Sequence, residues 1–257
     1  MNWNPKPPIR FQGFPPELFG FLRRLVENNS KPWFEAHRDI YQSSVLGPIK
    51  VFASEIGGIL RILNPDFDTE PRVGKTISRI NNDIRFQKNR SPYRSFIYVT
   101  FTQRNASWSN SAVMYVGIYP SGISVGFYPG GRPDLTVGPV QQAIASNQRV
   151  FQKYLSERRI PQRYWELASN SESEVTKWPL PKTARRWTAI DNFIIGEHFS
   201  DSDSAIRDRV FLDRVQEILL DLYPLWLFAE SEQVKEDLEI YRANARLLSH
   251  PSSKAAD

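Results

Sequence analysis

The chain has no cysteine among its 257 residues, and it has only two methionines and three histidines. Without thiols it can form no disulfide, no thiolate zinc site and no cysteine nucleophile, which suits a reducing compartment. The first residues, MNWNPKPPIRF, lack the apolar core of a secretory signal, and no run approaches the roughly 18 apolar residues that span a bilayer. We therefore predict a cytoplasmic protein with no membrane partner.

The three histidines, His37, His198 and His250, stand far apart in the sequence. No two of them have the spacing of metal ligands on one helix, so we predict no metal site. A magnesium site made of oxygen ligands would leave little trace in a sequence, and the sequence assigns no cofactor.

The composition is that of a globular protein rather than a disordered one. Hydrophobic residues make up 40% of the chain and charged residues 24%, which is sufficient for a large core. The seven tryptophans predict that large aromatic rings fill much of that core. The net charge of +5 is mild for this length, so it permits a nucleic-acid partner without requiring one.

The order of apolar patterns predicts an α+β fold. Helical spacing dominates before residue 64, and strand patterns follow at residues 76–80, 96–101, 114–119 and 123–128. The run 96–101 is apolar on both faces, as in a central strand. Pro-Ser-Gly joins the last two runs and indicates a hairpin. We predict a mainly antiparallel sheet of four or more strands, packed with N-terminal and C-terminal helices.

The second half of the chain gives weaker signals. We expect helix over residues 134–168 with an interruption at Pro161, then a surface loop over residues 169–181 that carries Trp178. A short strand at 193–195 and a long helix that ends at Pro224 follow. The predicted organisation is an extended arm (1–12), a single domain (13–230), a charged C-terminal helix (231–248) and a disordered tail (249–257).

Two short motifs look catalytic and are rejected. Gly74-Lys75-Thr76 ends like a phosphate-binding P-loop, but the first glycine of that motif is Thr69 here and strand sequence follows. Ser124 lies in Gly-Ile-Ser-Val-Gly, which has the letters of a nucleophile elbow. That elbow requires a helix after the serine, and strand sequence continues here.

One segment concentrates positive charge. Residues 79–94 contain five cations and one carboxylate, between two strand-like runs. Because arginine grips phosphate or carboxylate with two parallel hydrogen bonds, this pattern favours an anion site. Asp83 would orient a guanidinium group, and Tyr93 would line the pocket. The alternative is a bracing network in which Asp83 ties down Arg79, Arg85 or both.

The segment RINNDIRFQKNRSPYR resembles the signature R-x-x-R-D-x-R-F-x-x-[D/N]-K-x-x-Y of a mainly bacterial family called domain of unknown function 2461. Paired asparagines, a Trp-Phe pair and a later tyrosine upstream are similar to the same family. The resemblance implies no established reaction. Six residues fall on signature positions: Arg79, Asp83, Arg85, Phe86, Asn89 and Tyr93. Asn82 and Arg90 depart from it, since they replace an arginine and a lysine, and Asn82 raises the question of a lost family activity.

Three functional hypotheses follow. The first is a site for a small ligand that bears a phosphate or carboxylate, either as a binding site alone or as the active site of an enzyme. Its predicted binding residues are Arg79, Asp83, Arg85, Asn89, Arg90 and Tyr93, and its candidate catalytic residues are Asp83, Tyr93, Glu35 and His37. The second is a nucleic-acid-binding module that uses the same cations with exposed aromatics such as Trp108. The third is a structural or interaction protein, with the charged C-terminal helix as the surface for an unidentified protein partner.

Overall fold

The computed structural model describes residues 10–83, 91–106, 110–130, 133–169, 175–190 and 193–249. Most of the predicted arm and nearly all of the predicted tail therefore lie outside the described residues. Within them, helices and a six-stranded antiparallel sheet form an α+β fold, which confirms the predicted fold class.

The N-terminal half is helical, as its apolar spacing predicts. Pro at the start of a helix is favoured because its missing N–H has no partner there, and Pro16, Pro32 and Pro48 all occupy such positions. Ser30 caps the second helix by accepting from the Trp33 N–H. The elements are α1 (Pro16–Glu27), α2 (Lys31–Ala36), α3 (Arg38–Ile40), a π-helical segment (Tyr41–Leu46) and α4 (Gly47–Leu63).

The sheet has the strand order β1-β2-β3-β6-β4-β5, with every pairing antiparallel. Its strands are β1 (Ile97–Phe101), β2 (Val113–Tyr119), β3 (Gly122–Tyr128), β4 (Trp165–Ser169), β5 (Val175–Pro179) and β6 (Ile195–Ser200). The predicted hairpin is β2–β3. The predicted strand at 76–80 is a shorter bridged segment, in which Ile77 pairs with Val99 of β1.

The strands buried on both faces are β2 and, except at its last residue Tyr128, β3, whereas β1 was expected in that role. Every residue of β2 is buried, but burial alternates along β1, because Tyr98 and Thr100 stay half-exposed. The prediction for β1 was wrong because a tyrosine counts as apolar in a pattern while its hydroxyl can remain at a polar surface.

The second half contains the helices α5 (Pro133–Ser146), α6 (Gln148–Glu157), α7 (Ile160–Arg163), α8 (Ala184–Trp187), a 3₁₀ turn (Ser204–Arg207), α9 (Val210–Glu230) and α10 (Val234–Ser249). The predicted helix over 165–168 was wrong, because these residues form β4, which pairs along its length with β5 and at Trp165 and Glu166 with β6. The predicted loop over 169–181 was also wrong in part, because β5 pairs with β4 and carries Trp178.

Pro224 does not end α9, which continues to Glu230. A proline inside a helix removes the N–H that would bond the carbonyl four residues earlier, here that of Leu220. The Tyr241 hydroxyl donates to that carbonyl instead, at 2.9 Å. A side chain from α10 thus replaces the lost bond, and α9 remains continuous as it packs across β2, β3 and β6.

Candidate functional site

The arginine-rich segment begins and ends in two arms that are bonded to each other. We call residues 80–83 and 91–94 the loop base; residues 84–90 between them lie outside the described residues. The backbone bonds that join the arms run from the Arg94 N–H to the Ile80 carbonyl (2.7 Å) and from the Asn82 N–H to the Pro92 carbonyl (2.9 Å). The two arms are therefore fixed relative to each other.

Asn82 reinforces this junction with its side chain. Its Nδ2 donates to the Ser91 carbonyl at 2.8 Å, and its Oδ1 accepts from the Nε of Arg94 at 3.2 Å. An arginine at this position could not accept that second bond, because guanidinium groups only donate. The departure from the signature thus has a local structural role, which is to orient Arg94.

Asn29 and Phe34 attach the loop base to the helices. Asn29 Nδ2 donates to the Tyr93 carbonyl (2.9 Å), and the Tyr93 N–H donates to Asn29 Oδ1 (3.0 Å). The Tyr93 ring stacks on Phe34 of α2, with centroids 4.2 Å apart. Tyr93 is buried, and burial raises the pKa of its hydroxyl above the usual value.

Glu35, the exposed residue that follows Phe34 on α2, forms an ion pair with Arg38. Arg38 Nε donates to Glu35 Oε2 at 2.8 Å, and this bond lowers the pKa of the Glu35 carboxyl. The pair lies close enough to Tyr93 to influence the pKa of its hydroxyl. Because Glu35 is exposed and ionised at neutral pH, its side chain can accept a proton or a hydrogen bond but holds no proton to donate.

His37, the residue that caps the C-terminus of α2, packs against Trp33 of that helix. The two rings stack with centroids 4.1 Å apart, and Nδ1 lies 2.8 Å from the Trp33 carbonyl. Since a carbonyl oxygen only accepts, Nδ1 carries the proton of this bond and Nε2 is the nitrogen left to face other groups.

Arg79 lies against the turn that precedes it. Its Nε is 2.8 Å from the position that a Cβ on Gly74 would take, and Gly74 has a φ of +85°. A side chain at Gly74 would thus strain the turn and displace the guanidinium group. Among the described residues, the exposed Arg79 side chain makes no hydrogen bond or ion pair.

Arg94 is half-buried, and its position was not among the predicted site residues. Its side chain donates from Nε to the neutral Asn82 oxygen. Within the ranges that the structure describes, no carboxylate pairs with Arg94. Its guanidinium therefore keeps Nη donors for another partner.

The structure brings only some of the predicted site residues together. Tyr93 and Glu35 lie close together, while Asp83 is exposed at the end of one arm. Three predicted binding residues fall outside the described residues: Arg85, Asn89 and Arg90. Trp108, the predicted stacking residue, also lies outside the described residues.

The family profile described as conserved hypothetical protein, domain of unknown function 2461, matches residues 17–228. The chain belongs to this family. The resemblance carried by the arginine-rich segment is thus confirmed, and the match contains the loop base, α2 and the whole sheet. No protein of curated function matches the chain.

A polar pair of side chains lies between β3 and β6, and the sequence did not predict it. Ser124 on β3 is buried, and its Oγ lies 3.0 Å from Nδ1 of His198 on β6. Ser124 sits within a strand, as predicted, so there is no nucleophile elbow. The partners are 74 residues apart and meet only through the β3–β6 register, so nothing in the sequence indicates the pair.

Lys177 and Glu197 lie beside His198 without completing a catalytic triad. Lys177 Nζ is 2.6 Å from Glu197 Oε1 and donates to the His198 carbonyl at 3.2 Å. In a triad the carboxylate accepts from the imidazole ring, but Glu197 Oε1 accepts here from the backbone N–H of His198. Burial and the Lys177 ammonium lower the pKa of His198, so its ring is neutral at pH 7.

The described residues contain no group of three or more His, Cys, Asp or Glu side chains arranged to hold a metal ion. Nor does any helix in the described part of the chain have the length and apolar content needed to cross a membrane.

Proposed function

We propose that this chain binds a small ligand carrying a phosphate or carboxylate at the loop base. The observation that carries the proposal is the half-buried Arg94 guanidinium, whose side-chain acceptor is a neutral amide. A partly buried cation without a carboxylate is costly, and an anion that reaches its Nη groups would offset that cost.

Arg79 is the second predicted contact. It is exposed and makes no ion pair with any described residue, so its planar fork is free to pair with a carboxylate or phosphate oxygen. The rigid loop base supports this role. Asn82 and Asn29 fix both arms, so a ligand would not have to bear the full entropic cost of ordering them.

The ligand-binding role of Asp83, Arg85, Asn89, Arg90 and Tyr93 remains part of the same proposal. Tyr93 would line the site with its ring. It would not supply a proton, since burial raises the pKa of its hydroxyl. If the site is enzymatic, the nearby groups that can accept a proton are the Glu35 carboxylate and Nε2 of His37.

A thermal-shift screen tests the proposal. Wild type, Arg94→Gln and Arg61→Gln would be screened with inorganic phosphate, nucleotides, sugar phosphates and dicarboxylates. Arg61 is an exposed cation on α4 and controls for the loss of one charge. We expect an anion to raise the melting temperature of wild type and Arg61→Gln but not of Arg94→Gln. If Arg94→Gln only lowers the melting temperature and no anion stabilises the wild type, the segment is a bracing network.

A further inference from the structure

Two stretches of basic sequence form one surface in the second half of the fold. Residues 148–163 contain five cations and one carboxylate, and residues 182–188 contain three cations and no carboxylate. Gln152 of α6 joins them, because its side chain donates to the Lys182 carbonyl (3.2 Å) and accepts from the Ala184 N–H (2.9 Å). The neighbouring α6 and α8 thus bring the two stretches side by side.

Six of the eight cations are exposed, and we call them the basic surface: Arg149, Lys153, Arg159, Lys182, Arg185 and Arg186. The other two, Arg158 and Arg163, are partly buried and bind the buried carboxylate of Asp221 on α9. Arg163 also binds Glu217, so two carboxylates compensate the two inner cations, and neither carboxylate pairs with a member of the basic surface.

Glu157 is the one carboxylate within these two stretches. It lies 3.6 Å from Lys153 and 3.3 Å from Arg242 of α10, so its charge is shared between two cations. Across the described ranges, the other five members of the basic surface make no ion pair. The surface therefore presents unneutralised positive charge to solvent.

One exposed tryptophan, Trp178 in β5, lies shortly before α8 and therefore at the edge of this surface. The β4–β5 register pairs Trp178 with Glu166 and Trp165 with Pro179, so the two indole rings lie on opposite faces of the sheet. The ring of Trp165 already contacts a cation, since Lys177 Nζ lies 6.0 Å from its centroid. Trp165 is 37% exposed and Trp178 is 45% exposed, while the other described tryptophans are at least partly buried. Core packing does not explain the exposed indole ring of Trp178, four residues before Lys182 of the basic surface.

We propose that the basic surface, with Trp178 at its edge, binds single-stranded nucleic acid. Four of its six cations are arginines, which grip phosphate oxygens in a fork. Indole rings stack on unpaired bases of any sequence. This inference is independent of the small-ligand site, because it uses none of the loop-base residues.

A lipid surface fits the same residues less well. Peripheral membrane binding combines cations with several apolar side chains that insert among the lipids. The exposed large aliphatic side chains of the described residues are Val26, Ile62, Val73, Val210 and Ile240, and none of them lies on α6, α7 or α8.

Arg159 offers a variant that removes charge without harming the fold. Its φ is +53°, in the left-handed region where a side chain is unfavourable and glycine is not. Arg159→Gly therefore removes one cation while relieving local strain. A loss of binding in this variant would not be attributable to misfolding.

The experiment measures fluorescence anisotropy of a labelled 20-nucleotide single strand and of its duplex, over a salt series, with the full chain. The test variants are Arg159→Gly, Arg185→Gln/Arg186→Gln and Trp178→Ala. The control is Arg24→Gln/Lys50→Gln, which removes two exposed cations from α1 and α4. A separate experiment measures binding of the full chain to vesicles of anionic lipid and to vesicles of neutral lipid.

We expect the wild type to bind the single strand with an affinity that falls as salt rises. Each lost phosphate contact should reduce the slope of log affinity against log salt by about 0.7. The Arg185/Arg186 double variant should lose about tenfold or more in affinity and the control less than about twofold. Trp178→Ala should weaken single-strand binding by about fivefold or more and leave duplex binding unchanged. Equal losses in both double variants, absence of single-strand binding at low salt, or binding to anionic vesicles alone would overturn the proposal.

Discussion

Asn29 holds Tyr93 by both of its backbone groups: Nδ2 donates to the Tyr93 carbonyl at 2.9 Å, and the Tyr93 N–H donates to Oδ1 at 3.0 Å. A primary amide is well suited to this task, because it presents a donor and an acceptor side by side. The contact spans 64 residues and ties the helical half of the fold to the arginine-rich segment.

Asn29→Ala should lower the free energy of unfolding by about 1–3 kcal/mol, because it leaves two partly buried backbone groups without a partner. Asn28→Ala is the matched control: the side chain of Asn28 is exposed and bonds only the Arg24 carbonyl at the end of α1. Urea denaturation of both variants measures the difference. Equal losses would show that Asn29 does not clamp the loop base.

The bond between Tyr241 and Leu220 predicts an energetic coupling between Tyr241 and Pro224. Tyr241→Phe should cost about 1–2 kcal/mol, because the Leu220 carbonyl then lacks a partner. In a Pro224→Ala background that carbonyl receives a helical N–H, so the same change should cost less. A double-mutant cycle by chemical denaturation should therefore give a coupling of at least about 0.5 kcal/mol. Additive effects would contradict this explanation of the continuous helix.

Asp221 is the buried carboxylate of the second half, and it binds Arg158, Arg163 and the Tyr164 hydroxyl. Asp221→Asn should destabilise the fold by about 2–4 kcal/mol, because the partly buried Arg158 loses its carboxylate partner and Arg163 keeps only an exposed one. Glu217→Gln breaks an exposed pair with the same Arg163, at 2.7 Å, and should cost less than about 1 kcal/mol. Thermal and urea unfolding of the two variants compare them. Similar losses of stability in the two variants would show that the burial of Asp221 does not set the cost of its substitution.

His198 predicts a pH dependence of stability. Burial, with the Lys177 ammonium, lowers the pKa of its ring from 6.5, while Glu197 acts in the opposite direction. The unfolded chain therefore takes up this proton at a higher pH than the folded chain. Stability from this group is complete above about pH 6.5 and is lost as the pH falls below it toward the folded pKa. Comparing the free energy of unfolding of wild type and His198→Gln between pH 7.5 and 5.5 measures this loss. The wild type should lose more stability than the variant, and identical pH profiles would contradict the prediction.

The parts of the fold that sequence could predict depend on local chemistry. The β2–β3 hairpin follows from Pro120-Ser121-Gly122, and the N-terminal helices follow from apolar spacing and prolines at their starts. β4 and β5 were missed because each is five residues long and depends on pairing with a neighbouring strand. The continuity of α9 past Pro224 was not predicted, because the hydrogen bond to the Leu220 carbonyl comes from Tyr241 on another helix.

The same distinction applies to the functional residues. Charge density alone identified the segment that contains Arg79, Asp83 and Tyr93. It did not identify Arg94, whose significance depends on the neutral acceptor provided by Asn82. The Ser124–His198 pair could not be found, since it exists only in the strand register.

The central claim is that Arg94 and Arg79 receive an anion at the loop base. Isothermal titration of the most stabilising anion of the screen into wild type, Arg94→Gln, Arg79→Gln and Arg61→Gln tests it most directly. We predict one site in wild type and Arg61→Gln, with affinity about tenfold or more lower in each loop-base variant, since a charge-assisted hydrogen bond contributes about 1.5–3 kcal/mol. Unchanged affinity in Arg94→Gln and Arg79→Gln would contradict the claim.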